Sequence, residues 1–576
     1  MRPLSEEAKV DERKKIPVLP GELSLRVLLP PVAACLLTFF LLLASYPPYD
    51  VPEAAYVFLL PVLCWLYSRP SYRTVGFSCL FFGWLYYLTL LGWLRHVTVP
   101  GLAMGSFLLA AYLSLWFLLA RLLVPKALLG GTCHRLAAIV TLSAAWVAIE
   151  WARCQFTLGF PWCPLSVTQW TRPAILQTAE WTGAWSVSFF LVFFNLCLAS
   201  YLHHLFVRRR GTEKEGIFGQ FCPDFYAAVL LFMAMTAPFF LNRGDPIPWD
   251  SLFKFFSDGE TVGDERNEKM TPWKPLFKAG FSQPYLREKW QTDRAARHKA
   301  DLENQTLWLS LARPDVILWP EASTPYAITD DRAWAENLTR RARAPMLVGA
   351  VTRSPTRERI YNSVCSLTPH GGLNGRQYAK RVLVPFGEYV PRGFGWIPDL
   401  DKLVGPTGAF SPGGEPRTLP LDVNSTRQNL QAGPLVCYED IFPQLARDTA
   451  RAGADFLFVS TNNAWFGEEA GTEQHAAHSV LRAIENRRPV IRCGNHGWSG
   501  WINEFGVIPA VPDELNATRN RNPLPLHKAY RDVLPILRHD SFTGHATFYT
   551  RHGDWFAYLC LLLVPLGTWT VSRPRK

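Results

Sequence analysis

The sequence predicts a helical membrane bundle of about eight spans joined to an α/β domain. Long apolar runs fill residues 26–241 and return at 554–572, whereas charged residues become frequent from about residue 250 onward. At 576 residues the chain is too long for one ordinary core, which favours two or more domains. Hydrophobic residues make up 49% of the chain and charged residues 19%, a balance that is apolar for a soluble protein.

Eight apolar stretches approach the length of about 20 residues that a helix needs to cross a bilayer. They are residues 26–46, 51–67, 74–95, 100–124, 135–153, 184–206, 225–241 and 554–572. The second and the seventh are the shortest. The first contains Val32-Ala33-Ala34-Cys35, which resembles a lipoprotein cleavage site. Apolar residues continue well past Cys35, which favours an uncleaved span over a signal peptide.

Lysine and arginine residues mark every second loop between these spans. They cluster in the two tails and around residues 69–73, 121–135 and 208–214. The positive-inside rule places those loops in the cytoplasm, so the net charge of +11 reflects topology and we expect no nucleic-acid binding. The predicted parts are a cytoplasmic tail (1–25), a seven-span membrane domain (26–241), an extracytoplasmic domain (242–553), an eighth transmembrane helix (554–572) and a cytoplasmic tail (573–576).

Polar residues near the outer end of the fifth span stand out in an otherwise apolar region. They are Glu150, Arg153 and the run Gly159-Phe160-Pro161-Trp162. One interpretation is an interfacial belt in which Pro161 ends the helix. The other is a lipid-access surface beneath the outer domain, since ionisable residues inside a membrane are often functional.

From about residue 273 short apolar runs alternate with polar helical stretches, which favours a layered α/β domain. The predicted strands are 315–319, 345–350, 362–368, 433–438, 454–460 and 489–493, and the predicted helices are 284–313, 331–342, 441–452 and 472–487. A Pro- and Gly-rich segment at 391–420 predicts a long loop, a kind of segment that is often functional.

Cysteine usage predicts a free thiol in the outer domain. Of the 12 cysteines only Cys365, Cys437 and Cys493 fall there, and an odd number leaves at least one unpaired even in an oxidising compartment. No C-x-x-C pair and no His/Cys spacing typical of zinc is present. We therefore expect neither a metal nor another cofactor.

Three segments of the outer domain each carry a reactive side chain, and two of these side chains, those of Glu321 and Cys437, lie at the end of an apolar run. The segments are Trp319-Pro320-Glu321, Tyr378-Ala379-Lys380 and Val436-Cys437-Tyr438-Glu439. A cysteine attacks a carbonyl as its thiolate, so it needs a base, and Glu321 can supply it. Lys380 can stabilise the thiolate and then an oxyanion. Taken singly, Cys437 could be inert core, Glu321 a helix N-cap and Lys380 a solvated strand residue, but their joint occurrence favours an acyl-transfer site.

Two further carboxylates could keep the lysine charged and oriented. Glu388 follows it in Leu383-Val384-Pro385-Phe386-Gly387-Glu388-Tyr389, and Glu439 lies two residues after Cys437.

This ordered set resembles the carbon–nitrogen hydrolase (nitrilase) superfamily, whose members use a Glu–Lys–Cys triad on an α-β-β-α sandwich. With spans on both sides, the chain resembles the apolipoprotein N-acyltransferase family within it. Further matching motifs are Asn463-Ala464-Trp465-Phe466-Gly467, Gln474-His475 and Gly159-Phe160-Pro161-Trp162. The resemblance implies a multi-pass protein of the bacterial inner membrane with its catalytic domain on the periplasmic side.

The resemblance also implies a ping-pong reaction. Cys437 would take an acyl chain from a phospholipid, phosphatidylethanolamine, as a thioester. The α-amine of a diacylglyceryl-cysteine at the N-terminus of an apolipoprotein would then attack. Glu321 would be the base, with Lys380 and the N–H of Tyr438 stabilising the oxyanion.

Other residues would have supporting roles by the same resemblance. Glu388 would position the site and Glu439 would support the lysine. Trp290 would lie near the acyl chain, and Trp465 and Phe466 would belong to a mobile apolar loop over the entrance.

Some features depart from the family pattern. Residues 279–283 read Ala-Gly-Phe-Ser-Gln, Asn463 stands where an aspartate is expected, and the insertion at 244–272 has no counterpart. One alternative is a membrane-anchored nitrilase-type amidase that hydrolyses a small amide. Another is a scaffold or transporter with a decayed catalytic domain, against which the intact Glu321, Lys380 and Cys437 argue.

Overall fold

The computed structural model describes residues 25–127, 130–156, 159–206, 222–242, 247, 249, 272–286, 294–391, 410–512 and 520–573. Most of the predicted N-terminal tail, nearly all of the 244–272 insertion and Trp290 lie outside the described residues.

A bundle of apolar helices forms the first half of the protein. Its helices are α1 (Leu25–Ala44), α2 (Leu60–Leu66), α3 (Tyr72–Leu90), α4 (Val99–Ala127), α5 (Thr132–Gln155), the one-turn α6 (Pro173–Leu176) and α7 (Ala179–Thr182), α8 (Trp185–Phe206) and α9 (Pro223–Asn242). Five described helices are long and apolar enough to cross a membrane, namely α4, α5, α8, α9 and a C-terminal helix at Trp555–Ser572.

The predicted second span differs from a single membrane-length helix. A 3-10 turn at Pro52–Tyr56 is followed by the seven-residue α2. Pro52 and Pro61 explain the break, because proline removes a backbone donor and is best tolerated at the start of a helix. The seventh predicted span, equally short in sequence, is the 20-residue helix α9.

The second half of the protein is built on two β-sheets. Its strands are β1 (Trp273–Gln283), β2 (Val316–Trp319), β3 (Met346–Arg353), β4 (Ile360–Thr368), β5 (Gly372–Ala379), β6 (Leu419–Val423), β7 (Gln428–Val436), β8 (Phe456–Asn462), β9 (Val490–Asn495), β10 (Gly500–Ile502) and β11 (Tyr530–His539). One sheet has the order β11-β1-β2-β3-β4-β5 and the other β10-β9-β8-β7-β6. Strands β1, β2 and β3 are parallel to each other, as are β7, β8 and β9.

The two sheets stack face to face between layers of helices. Apolar side chains of both sheets, such as Leu318, Leu347 and Phe458, share one core, in which the rings of Phe277 and Phe456 lie 4.9 Å apart. Helices α10 (Ala295–Leu311) and α11 (Arg332–Ala342) cover the first sheet, and α12 (Pro443–Arg451) and α13 (Gly471–Asn486) cover the second. The predicted layered α/β domain is thus confirmed as an α-β-β-α sandwich. The chain ends in α14 (Phe548–His552) and α15 (Trp555–Ser572).

All six predicted strands are present, but one predicted helix begins too early. Residues 284–286 continue from β1 without helical structure, and the helix predicted at 284–313 is described only from Ala295. Strand β6 begins at Leu419, at the end of the loop predicted for 391–420, and residues 392–409 of that loop lie outside the described part.

Helix α13 joins the α/β domain to the bundle. Although its sequence is polar, all its residues except Glu473 are buried. The Gln474 amide oxygen accepts hydrogen bonds from the indole N–H groups of Trp93 (3.0 Å) and Trp162 (2.9 Å). Its amide nitrogen donates to the carbonyls of Pro47 and Leu90. One side chain therefore holds several segments of the bundle against the domain.

Candidate active site

Cys437 lies on a tight turn at the carboxyl end of β7. Its φ of +49° places it in the left-handed region, which costs a non-glycine residue about 1–2 kcal/mol and is common at functional sites. The turn continues as a 3-10 helix over Cys437–Ile441. The thiol is buried at the edge where parallel strands end, with its sulfur 4.0 Å from the Asn462 carbonyl.

Glu321 follows the end of β2 and faces the same edge. Its backbone N–H donates to the Thr461 carbonyl of β8 at 3.4 Å, which links the two sheets. Gly349 in β3 makes room for this turn, because a Cβ there would lie 2.4 Å from the Pro320 oxygen and 2.7 Å from the Glu321 Cα. The Asn362 amide donates to Glu321 Oε1 at 2.7 Å and fixes the carboxylate.

Lys380 comes directly after β5 and is 1% exposed. Its Nζ lies 3.4 Å from Glu321 Oε1 and 2.9 Å from Glu388 Oε2. Burial alone would lower the pKa of Lys380, but Glu388 and Glu321 outweigh it and raise the pKa above its usual value. The lysine is therefore a stable cation in the interior.

The Cys437 thiol experiences both charges. Burial raises its pKa to about 12, with Glu321 adding to the rise and Lys380 opposing it. At neutral pH the sulfur is therefore a thiol, and attack requires a base that takes the proton as the new bond forms. Glu321 and Lys380 are the charged groups placed to act on it.

Glu388 contacts the lysine, as its place in the sequence indicated. Besides Lys380, its carboxylate accepts hydrogen bonds from the Asn362 amide at 3.0 Å and from the Val384 N–H at 2.8 Å. These bonds hold one carboxylate against the cation, so that Glu321 can exchange a proton without leaving the lysine unpaired.

Glu439 has no hydrogen bond to Lys380 among the described residues, but it interacts with the lysine electrostatically, and its supporting role stays a prediction. Its carboxylate accepts from the Tyr378 hydroxyl at 2.9 Å, from the Val436 N–H at 2.8 Å and from the backbone N–H groups of Arg381 (2.6 Å) and Val382 (3.2 Å). It thereby joins the turn of Cys437 to the backbone after Lys380. Glu439 positions the two reactive residues through main-chain donors.

Tyr438 and Phe466 lie between the catalytic turn and the bundle. The Tyr438 hydroxyl donates to the Gly159 carbonyl at 3.3 Å. The Phe466 ring packs against Trp93 at 4.3 Å and Trp162 at 5.6 Å between ring centroids. Its neighbour Trp465 is instead 45% exposed. Phe466 anchors this segment while Trp465 faces outward.

A buried polar network next to Cys437 had no role assigned from the sequence. His475 Nε2 lies 2.7 Å from Asp440 Oδ1 and 3.1 Å from the Cys437 carbonyl. Ser479 donates to Asp440 Oδ2 at 2.7 Å, and Arg492 pairs with the same oxygen. Burial alone would raise the pKa of Asp440, but His475 and Arg492 outweigh it and lower the pKa. This network fixes the carbonyl of the strained turn.

Asn362 was also missed, although a signal for it exists. It is a buried amide in strand β4, with Val364 as its apolar neighbour on the same face. A polar residue at an inward position of a strand must have partners, and here they are the carboxylates of Glu321 and Glu388.

In the described part of the chain no group of three His, Cys, Asp or Glu side chains could hold a metal ion.

Comparison with known proteins agrees with this architecture. Residues 40–197 match the family described as apolipoprotein N-acyltransferase N-terminal domain, and residues 310–518 match the carbon-nitrogen hydrolase family. The apolipoprotein N-acyltransferase of Geobacter metallireducens is 27% identical over 90% of this chain and 91% of its own length. That of Chlorobaculum tepidum is 26% identical over 74% of this chain and 75% of its own length.

An amidase from Nesterenkonia sp. is 16% identical, with a TM-score of 0.33 over 50% of this chain and 96% of its own.

The sandwich with a Glu–Lys–Cys cluster at its strand ends defines a carbon–nitrogen hydrolase domain, here packed on a bundle of apolar helices. Both parts of the chain, and relatives that cover most of its length, then indicate the branch of the superfamily. The chain is similar to apolipoprotein N-acyltransferases over both of its parts and is an acyltransferase of the carbon–nitrogen hydrolase superfamily.

Proposed function

We propose that this enzyme moves an acyl chain from a membrane phospholipid to the α-amine of the N-terminal diacylglyceryl-cysteine of apolipoproteins, through a thioester on Cys437. The observation that carries the proposal is the buried cluster of Glu321, Lys380 and Cys437. The turn that bears Cys437 contacts the helical bundle through Tyr438, which is where a lipid substrate would approach.

In the first half-reaction the Cys437 sulfur attacks the ester carbonyl of the phospholipid. The S–H bond breaks as the S–C bond forms, and Glu321 takes the proton. Lys380 stabilises the oxyanion of the tetrahedral intermediate, a contribution of about 10²–10³ in rate for one such donor. When the C–O bond breaks, the leaving lysophospholipid oxygen takes the proton back from Glu321.

In the second half-reaction the amine of the lipoprotein attacks the thioester carbonyl. Glu321 takes a proton from the amine as the N–C bond forms. The C–S bond then breaks and Cys437 leaves as a thiolate, which regains the proton from Glu321. The products are an amide and the resting thiol, so protons and charges balance over the cycle.

A lipid donor suits this setting because a thioester survives only where water is scarce. Cys437 is 7% exposed, and the aromatic cluster of Trp93, Trp162 and Phe466 separates the catalytic turn from the surroundings of the bundle. We propose phosphatidylethanolamine as the donor, and a periplasmic position for the catalytic domain at the bacterial inner membrane. The alternation of charged loops supports that orientation.

The test uses purified full-length protein and phosphatidylethanolamine with a labelled acyl chain. We expect the protein to acquire a label that hydroxylamine releases, and Cys437→Ala to abolish it. Glu321→Gln should fold but form thioester about 10²–10⁴ times more slowly, because the base is lost.

Cys365→Ala is the matched control, since Cys365 is a buried free thiol of β4 in a different core cluster. The Cys365→Ala variant should acquire the acyl label to the same extent as the wild type. A wild-type protein that stays unlabelled yet cleaves small amides would refute the phospholipid donor and favour a membrane-anchored amidase. Normal labelling of Glu321→Gln would remove that residue from its role as base.

A further inference from the structure

A cavity lies inside the helical bundle. Its volume is about 20 Å³, and the empty space reaches about 420 Å³ when the opening at its mouth is counted. Aromatic and aliphatic side chains form most of its wall. Two side chains of opposite charge, Glu150 and Arg153, line it from the last turns of α5. The catalytic scheme uses neither residue.

Arg153 is buried without a full set of hydrogen-bond partners. It is 6% exposed, and its Nε and Nη2 have no partner among the described residues. These two nitrogens form one edge of the guanidinium, the edge that binds two oxygens of a phosphate or carboxylate side by side. Arginine cannot escape the cost of burial by losing its proton. The edge therefore requires an anionic or strongly dipolar partner.

Glu150 offers the complementary charge. Its Oε1 accepts from the Trp146 indole at 2.9 Å and from the Leu165 N–H at 2.7 Å. Its Oε2 is buried and has no partner in the described part of the chain. Among the described residues, no ion pair of 4.0 Å or less joins the Glu150 carboxylate to Arg153. The cavity thus presents an open cationic edge and an open anionic oxygen separately.

We propose that this cavity binds the zwitterionic head group of a phospholipid. The phosphate oxygens pair with the Nε–Nη2 edge of Arg153, and the ammonium group pairs with Glu150 Oε2. This rests on the proposed use of a phospholipid donor and names the part of the donor that the enzyme recognises. A purely anionic head group would satisfy Arg153 but would meet Glu150 as a like charge.

The position of the cavity fits a head group. Leu42, Tyr86 and Arg153 line it from the C-terminal ends of α1, α3 and α5, which the charge pattern assigns to the outer face of the membrane. The segment after α5 leads from there to the catalytic turn. The Phe160 N–H donates to the Arg153 carbonyl at 3.1 Å, and Gly159 accepts from Tyr438, the residue after the nucleophile.

Binding can be tested without chemistry on the full-length Cys437→Ala protein. Native mass spectrometry would compare dihexanoyl-phosphatidylethanolamine, dihexanoyl-phosphatidylglycerol and inorganic phosphate. We expect the ethanolamine lipid to bind at least tenfold more tightly than the other two. Arg153→Gln should weaken the binding of both lipids about tenfold or more. Glu150→Gln should remove only the preference for the ethanolamine lipid.

Arg172→Gln is the matched control, because Arg172 belongs to the same half of the protein but pairs with Glu53 on the surface. It should bind like the parent. Arg153→Lys keeps the charge without the two-pronged edge, so it should bind the ethanolamine lipid less tightly than the parent even when its melting temperature is unchanged.

Equal binding of the two lipids by the parent, or unchanged binding in Arg153→Gln, would overturn the proposal. Inorganic phosphate that binds as tightly as the ethanolamine lipid would overturn it in favour of a simple anion site. Because Cys437→Ala performs no transfer, these outcomes do not depend on the thioester experiment. A wild type that binds the lipid but forms no thioester would refute the proposed function and leave the head-group site intact.

Discussion

Helix α5 carries two buried arginines, and their surroundings differ. Near its start, Arg135 Nε pairs with Asp224 Oδ2 of helix α9 at 2.7 Å, and Nη2 reaches Oδ1 at 3.4 Å. Ser200 donates a further hydrogen bond to Asp224 at 2.6 Å. Near its end, Arg153 has two nitrogens without a partner among the described residues. The first arginine joins two helices, whereas the second is available to a ligand.

Glu504, a third buried ionisable residue, is accommodated in a different way. Glu504 in the catalytic domain has one carboxylate oxygen bonded to the His539 N–H and, within the described residues, no partner for the other. Burial raises its pKa to about 7, so this carboxyl can become neutral. Pairing, protonation and the ligand binding proposed for Arg153 are thus three ways to accommodate a buried charge.

The largest loss of stability should come from breaking the ion pair between Arg135 and Asp224. Asp224→Ala leaves Arg135 buried without its carboxylate, which typically costs about 3–5 kcal/mol. Thermal denaturation of the purified protein in detergent should show a large drop in melting temperature. Ser200→Ala, which removes one hydrogen bond from the same pair, should cost only about 1 kcal/mol. Equal effects of the two variants would show that the ion pair contributes little.

A smaller, pH-dependent effect is expected at Glu504. Its pKa lies near 7 in the folded protein and 4.5 is its reference value, so the stability that its protonation contributes is present below pH 4.5 and lost as pH rises through 7. Glu504→Gln should therefore be more stable than the wild type at pH 8.5 by about 1–3 kcal/mol. At pH 5 the variant and the wild type should have similar melting temperatures.

Glu415→Gln, at an exposed position, is the control and should follow the wild type at both pH values. A Glu504→Gln variant that gains nothing at pH 8.5 would mean that the carboxylate is ionised in the folded state at little cost.

The smallest effect on stability should come from Arg153 itself. In the absence of added lipid, Arg153→Gln should change the free energy of unfolding by less than about 1 kcal/mol or raise it, because removing an incompletely paired buried charge relieves a penalty. Parallel thermal melts of Arg153→Gln and Asp224→Ala would measure the difference. Comparable losses in both would indicate that Arg153, like Arg135, is a structural arginine.

The sequence was sufficient to bring Glu321 and Cys437 together because each follows a strand that ends in apolar residues, Val316–Trp319 and Gln428–Val436. Lys380 follows the mostly polar strand Gly372–Ala379, so an apolar pattern alone does not mark it. The hydrogen-bond partners of Glu439 could not be predicted, since they are mainly backbone N–H groups, which any residue supplies.

Long-range pairing and helix breaks were harder to predict. Strands β1 and β11 are separated by most of the domain, and Lys274 and Pro275 interrupt the apolar pattern of β1. The broken second span follows from Pro52 and Pro61, whose effect a hydropathy pattern does not register. The role of Arg153 depends on unmatched atoms in three dimensions and has no signature beyond a charge in an apolar segment.

The pairing of β1 with β11 has a consequence for biosynthesis. Trp273 pairs with His539 and Gln283 with Tyr530, so the first strand of the sandwich needs a partner made about 250 residues later, a separation that slows folding. At 5–20 residues per second the ribosome takes roughly 10–50 s to supply it. During that interval one edge of β1 stays open to other chains, and the last helix emerges only after the sheet can close.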